Sequence, residues 1–339
     1  MSTLATHAMS SGAAPRNAGP AMTIDLSIVI VSWNVRDCLR ACLESIERHR
    51  DGLSLEVIVV DNASTDGTPA LVRKKFPQVT LICNQANAGF ARASNQGLRI
   101  GRGRFFLLLN PDTELHEETL AAALSHAEAN PGVGVIGCRA FRPDGSVQST
   151  AFRCLRLRDV ALNVLVPNGM RRRRRLLSGF RYADLDLDRA QDVETVAGCF
   201  MLVRRAAWEW VGGLDESFFM YGEEAEWCHR LRRAGWKVRH LPQATILHHG
   251  GVSAEQCRDA TTLAMARSQV LLLQRTRGRA VAWIANALMM LRDLPRASVW
   301  LVVRHFAMHW GSTRWMAWKR SAARFRFHAA GLFRTDFNP

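Results

Sequence analysis

The sequence predicts an α/β protein on a doubly wound, mainly parallel sheet, and two observations carry that expectation. From Asp25 onward short β-branched runs alternate with helical patterns, the signature of strand–helix units that place parallel strands side by side. Two of those runs end abruptly in polar clusters, at Asp61-Asn62-Ala63-Ser64 and at Asn110-Pro111-Asp112. In such sheets ligands bind beyond the carboxyl ends of the strands.

The elements follow in order. Leu26–Val31 reads as a buried strand, Arg36–Arg48 as a helix capped by Asn34, and Glu56–Val60 as a second strand. Thr68–Phe76 is helical, Val79–Cys83 a strand, Ala91–Ile100 a helix and Phe105–Leu109 a strand. Val133–Ile136 is another strand, Arg139–Arg175 reads as basic and loop-like, and Val193–Val203 as one apolar strand. Arg205–Trp210 is a short helix, Glu223–Ala234 an amphipathic helix stopped by Gly235, and Ala244–Leu247 strand-like. Beyond Thr262 the pattern is helical, apolar on one side and Arg-rich on the other, with tryptophans interspersed.

Residues 1–24 are rich in Ala, Ser and Gly and lack a continuous apolar core, so they read as a flexible extension rather than a signal peptide. Residues 25–261 form the expected α/β domain and 262–339 a basic amphipathic helical region. At 48% hydrophobic composition the chain can bury a large core. The formal charge of +15 is uneven: beyond Thr262 stand 13 Lys and Arg against 2 acidic residues, a net of +11. Such a field attracts an anionic partner. The eight cysteines show no Cys-x-x-Cys pair, which fits small buried thiols rather than zinc ligands. The most apolar late stretch, Ala280–Leu291, is 12 residues long, against roughly 20 needed to cross a bilayer.

Several residue groups could carry chemistry. Asp61 could accept the imide N–H of a uracil or thymine ring, or the tetrapeptide it opens could be a polar turn. Asn87-Ala88-Gly89-Phe90 opens a helix whose N-terminus favours a diphosphate, with Gly89 permitting close backbone approach. Asp112 could hold Mg²⁺ or Mn²⁺ against a diphosphate leaving group, or cap a helix starting near Glu117. Glu223, Glu224 and Glu226 crowd a helix start, where they would favour the helix dipole even without a catalytic role, and Glu226 can pair with Arg230. The His248-His249 pair could supply a metal ligand or form a surface turn.

In this order the blocks Leu26–Asn34, Val57–Gly67, Asn87–Phe90 with Asn95, Leu107–Asp112, Gly198–Val203, Gly213–Glu216 and Phe218–Glu224 resemble the family 2 glycosyltransferases of the GT-A fold. The wording is closest to bacterial rhamnosyltransferases of cell-surface polysaccharide assembly. The resemblance implies a nucleotide-sugar site of Ser32, Asn34, Asp61, Asn87, Gly89, Asn95, Asn110 and Asp112. It further implies a metal held by Asp112 with His248, and Glu224 as catalytic base with Glu223 beside it. Inverting transfer from a dTDP- or UDP-sugar, with dTDP-rhamnose first, to a lipid-linked or saccharide acceptor would follow. Two departures stand out: Asn110-Pro111-Asp112 leaves one carboxylate in the metal motif, and Glu223-Glu224 replaces the usual acid–Asp pair. Gly311 stands where the processive synthases' Gln-x-x-Arg-Trp motif has glutamine, which favours single additions.

The Arg- and Trp-bearing C-terminal region suits an anionic membrane surface, with a helical cap on the catalytic domain as the alternative. The expected location is cytoplasmic, peripheral at the inner face of the membrane. The rival is a basic RNA- or membrane-binding protein on a catalytically inactive GT-A scaffold. No nucleic-acid-binding motif accompanies the charge, so no nucleic-acid partner is expected.

Overall fold

The computed structural model describes residues 24–50, 52–166, 186–250, 258–303 and 313–332. The expected N-terminal extension, up to residue 23, and the Arg171–Arg175 run lie outside the described residues. The strands are β1 (Leu26–Ser32), β2 (Leu55–Asp61), β3 (Thr80–Cys83), β4 (Phe105–Leu109), β5 (Thr113–Leu115) and β6 (Val133–Phe141). They continue with β7 (Val147–Gln148), β8 (Ala151–Phe152), β9 (Gln191–Asp192), β10 (Thr195–Val196), β11 (Phe200–Arg204) and β12 (Lys237–His248). The helices are α1 (Arg36–Arg48), α2 (Thr68–Lys75), α3 (Phe90–Ile100), α4 (Thr119–Ala129) and α5 (Leu157–Leu165). Then come α6 (Arg205–Val211), α7 (Glu223–Arg233), α8 (Arg258–Arg277), α9 (Arg279–Val303) and α10 (Thr313–Leu332).

The main sheet runs β3-β2-β1-β4-β11-β6-β12-β5. The first four strands are parallel, and β11 inserts antiparallel to both β4 and β6. Both faces are covered, so β1 is apolar at nearly every position and its residues alternate between two cores. Ile28 and Ile30 pack with Leu39 and Leu43 of α1 and Leu120 of α4. Val29 faces the other way, against α3, in the core that also holds Leu98 and Trp227 of α7. A third core joins α5, Phe218, α8 and α9 through Val160, Leu271, Leu273 and Ala285. The C-terminal helices α8 and α9 are therefore packed on α5 and on the segment bearing Phe218.

Four local expectations change. Asn34 does not cap α1: its φ is +53°, its Oδ1 accepts the Thr65 N–H at 2.7 Å, and the Arg36 N–H is satisfied at 2.9 Å by Asp66 Oδ2. The Val193–Val203 run is two strands, because Ala197–Cys199 leaves the sheet and β10 pairs with β8 instead. The stretch from Arg139 is not all loop: β6 continues to Phe141 and α5 forms with Val160 buried, its first turn closed by the Arg156 N–H on Asp159 Oδ2 at 2.9 Å. Helix α8 begins at Arg258 and runs across the expected 261/262 boundary.

Gly97 lets α3 lie directly on β1, since a Cβ there would stand 2.4 Å from Val29 Cγ1. Gly97→Ala should lower stability by about 1–3 kcal/mol through overpacking, with better helix propensity returning at most about 1 kcal/mol. Gly132→Ala, which meets nothing within 4 Å, is the control. Equal denaturation midpoints for the two variants would show that α3 does not depend on this contact.

Candidate functional site

Strands β1 and β2 run in register and finish on the paired residues Ser32 and Asp61. Both are buried; Asp61 Oδ2 accepts the Ser64 N–H at 2.9 Å, while Asp61 Oδ1 and Ser32 Oγ have no partner. Buried polar atoms without partners are uncommon, and side by side they make a place for a ligand's donor. Asn62 reaches the neighbouring unit, with its Nδ2 donating to Gly89 O at 3.2 Å. Asn87 Oδ1 accepts the Gly89 N–H at 3.0 Å. Gly89 has φ +81°, and a Cβ there would sit 2.5 Å from Phe219 O, so only glycine admits that loop. Asn95 faces the same loop: its Nδ2 donates to Leu214 O at 2.9 Å and Glu216 Oε1 at 3.0 Å, and its Oδ1 accepts the Leu214 N–H at 2.9 Å.

Beyond β4 the chain turns through Asn110-Pro111-Asp112 into β5, which pairs antiparallel with the end of β12, placing Thr113 opposite His248. Asp112 thus precedes a strand and does not cap α4, whose N-cap is Glu118. His248 Nε2 stands 3.4 Å from Asp112 Oδ1, both residues being buried. His248 Nδ1 is 3.0 Å from Gln148 Oε1. An amide oxygen only accepts, so Nδ1 carries the proton and Nε2 turns a lone pair toward the carboxylate. Burial disfavours the imidazolium, but the Asp112 carboxylate outweighs it and raises the His248 pKa.

Two acceptors facing each other in a buried site fit a shared cation. Their oxygen-plus-imidazole chemistry suits Mn²⁺ or Mg²⁺, and Gln148 orients the imidazole from behind. Among the described residues no group of three His, Cys, Asp or Glu could hold a metal. The protein would supply two ligands, leaving the remainder to diphosphate and water, as is usual for Mg²⁺. His249 turns outward to Glu114 at 3.0 Å, so the histidine that faces the site is His248.

The opposite wall is the start of α7. Tyr221 at φ +68° and Gly222 at φ +92° form a left-handed turn that aims the first helical residues into the cleft. Glu224 Oε2 accepts the Gly222 N–H at 3.0 Å, whereas Glu223 is 4% exposed and its Oε2 has no partner. Burial and then the adjacent Glu224 carboxylate push the Glu223 pKa well above the usual carboxylate range, and burial also raises that of Glu224. Glu226 is structural: it pairs with Arg230 at 2.8 Å, and that guanidinium holds Val211 O and Gly213 O.

A cleft of about 260 Å³ lies between these walls. Of the expected site residues, Asn87, Asn110, Asp112, Glu223, Glu224 and His248 line it. Ser32 and Asp61 do not line it, although their chain neighbours Trp33 and Asn62 do, and Asn34 borders a separate groove beside Asp66. Gly89 and Asn95 secure the 213–222 loop. Trp33, Asn62, Gln148 and Tyr221 are additions. Trp33 and Asn62 adjoin expected residues, but nothing local in the sequence marks Gln148 or the left-handed Tyr221.

Residues 27–210, more than half the chain, match the family described as glycosyl transferase family 2. An N-acetylglucosaminyl-diphospho-decaprenol L-rhamnosyltransferase of Mycobacterium tuberculosis is 30% identical over 246 residues, covering 67% of this chain and 77% of that protein. A low-salt glycan biosynthesis hexosyltransferase of Haloferax volcanii is 25% identical over 240 residues, covering 67% and 68%. Among solved structures, the mannosyltransferase of Pyrobaculum calidifontis in complex with GDP-Man and Mn²⁺ aligns over 94% of this chain and 90% of its own, with a TM-score of 0.50 and 18% identity. At that identity the likeness is one of fold. With the sheet order, the two-walled cleft and these matches in agreement, the chain belongs to glycosyl transferase family 2 and has the GT-A fold.

Proposed function

We propose that this glycosyltransferase performs inverting transfer of a sugar, rhamnose from dTDP-rhamnose as first choice, to a hydroxyl of a lipid-linked or saccharide acceptor in cell-surface glycan assembly. The observation that carries the reading is a cleft with Asp112 and His248 on one wall and Glu223 and Glu224 on the other. The rhamnosyltransferase likeness supports the sugar, and the partnerless Asp61 Oδ1 supports a pyrimidine imide as its donor.

The acceptor oxygen forms its bond to the anomeric carbon as the bond from that carbon to the diphosphate oxygen breaks. The nucleoside diphosphate leaves with the electron pair, and the acceptor's proton passes to a glutamate. Glu223 and Glu224 compete for one proton. Glu223, the more buried and the more strongly raised, retains it. Glu224 then stays ionised, held at one oxygen by the Gly222 N–H with the other left to accept. A divalent cation bound by Asp112 and His248 would neutralise charge developing on the diphosphate. The N-terminus of α3, beside Asn87, favours the same negative charge.

Purified enzyme offered dTDP-rhamnose, UDP-glucose and GDP-mannose in turn should release nucleoside diphosphate fastest from the dTDP donor. Turnover with GDP-mannose alone would overturn the assignment of Asp61 and of the sugar. Glu224→Gln should lower kcat by about 10²–10⁴-fold with donor binding little changed. A fully active Glu224→Gln beside a dead Glu223→Gln would move the base one residue back.

The Glu223 carboxyl carries its own signature. A buried carboxyl with a raised pKa keeps its proton in the folded chain after the unfolded chain has lost it, above about pH 4.3. Stability therefore falls as pH rises through that window. Glu223→Gln should raise the melting temperature at pH 8, the gain shrinking toward pH 4. A pH-independent difference would show that Glu223 ionises normally.

A further inference from the structure

Helix α9 contradicts the simple division into an apolar side and an Arg-rich side. Its buried side holds Ala282, Ala285 and Met289, yet its outer side is apolar as well. Trp283, Ile284, Leu291 and Leu294 are 49%, 43%, 53% and 40% exposed. At about 100° per residue they fall, with Ala287, within an arc of about 100° running some 16 Å along the helix. The charged Asp293 points the other way, fully buried against Arg324 at 2.8 Å and Arg292 at 3.1 Å. A helix on the surface of a water-soluble domain puts charged and polar groups on its outer face. This one presents a contiguous apolar strip, and such strips mark interaction surfaces.

The surroundings state the partner's charge. Arg277 and Arg279 flank Gly278, whose φ of +94° makes the turn into α9. Arg232 and Arg233 at the end of α7 add to the same field. Burial first, and then Arg277, Arg233 and Arg232, hold the His229 imidazole below its usual pKa. The chain beyond Thr262 carries a net +11. Among the described residues no helix is long and apolar enough to cross a membrane.

We infer that the outer face of α9, with Ile284, Leu291 and Leu294 entering the acyl boundary and Arg277 and Arg233 meeting phosphates, docks the enzyme on a bilayer rich in anionic lipid. Apolar insertion and charge attraction add in such a helix. None of these residues lines the cleft, so docking is separable from chemistry. It complements the lipid-linked acceptor of the proposed function without depending on the donor.

The test is flotation of the full-length protein with vesicles of phosphatidylcholine alone or with about one third phosphatidylglycerol. Turnover on a soluble acceptor and solution mass are measured alongside. The wild type should float with the anionic vesicles and release as salt rises. The triple variant Ile284→Ser, Leu291→Ser, Leu294→Ser should bind them about tenfold or more weakly, with melting temperature and soluble turnover unchanged. Arg277→Glu with Arg233→Glu should weaken anionic binding while leaving the apolar strip intact. Three results would overturn the inference: a wild type that does not float, a triple variant that floats equally well, or a dimeric wild type that the triple variant turns into monomers without loss of flotation. The last would make the strip an interface between copies. Loss of soluble turnover in the wild type would count against the proposed function and leave the docking result standing.

Discussion

The approach of His248 to Asp112 is the constraint from which the site follows. It requires β4 to end at Leu109, the chain to turn through Pro111, and β5 to pair with the far end of β12. Only then do an imidazole and a carboxylate distant in sequence come within 3.4 Å. Each piece is fixed by burial elsewhere. A slip of β4 by one residue would draw Arg104 or Asn110 into the buried span now filled by Phe105–Leu109. The Gln148 contact then fixes the imidazole's tautomer. The protein holds two acceptors together at the desolvation cost of both, an arrangement that a cation or a proton relieves.

The glutamate wall depends on a different device. Helix α7 starts from two successive left-handed residues, Tyr221 and Gly222. The loop before it is held by Asn95 and by the backbone bond from the Phe90 N–H to Phe219 O at 2.7 Å. The motif that opens α3 therefore serves both walls: Asn87 faces the cleft while Gly89 and Asn95 anchor the loop that presents Glu223 and Glu224. Helices α8 and α9 press on that loop from outside through Phe218, and Ser268 Oγ donates to Met220 O at 2.8 Å. The C-terminal helices are thus part of what shapes the cleft, besides carrying the outer apolar face of α9.

Much of this was legible in the sequence because parallel strands buried on both faces read as continuous apolar runs. Leu26–Val31 and Phe105–Leu109 could be little else, and the polar residues after them could only stand at the sheet's edge. Composition was silent where tertiary contacts override local pattern. The Val193–Val203 run is apolar from Val196 onward, but Gly198 marks a change of sheet. Asn34 resembles a helix cap and instead ties the β1 loop to Thr65, while Asp66 caps the helix from a separate segment. Helix α5 hid in basic sequence because its burial comes from packing against the C-terminal helices. Asp112, His248 and the glutamates were visible as residue types, and the family resemblance already grouped them into one site; their placement on two facing walls of a cleft is what the fold adds.

The central claim is that Asp112 and His248 together make a cation-dependent diphosphate site. Calorimetric titration of dTDP into the enzyme, with and without Mn²⁺, tests it most directly. The account predicts that Mn²⁺ tightens binding by about tenfold or more, and that His248→Ala abolishes this gain while leaving metal-free binding unchanged. Equal affinity with and without the metal in the wild-type enzyme would contradict it.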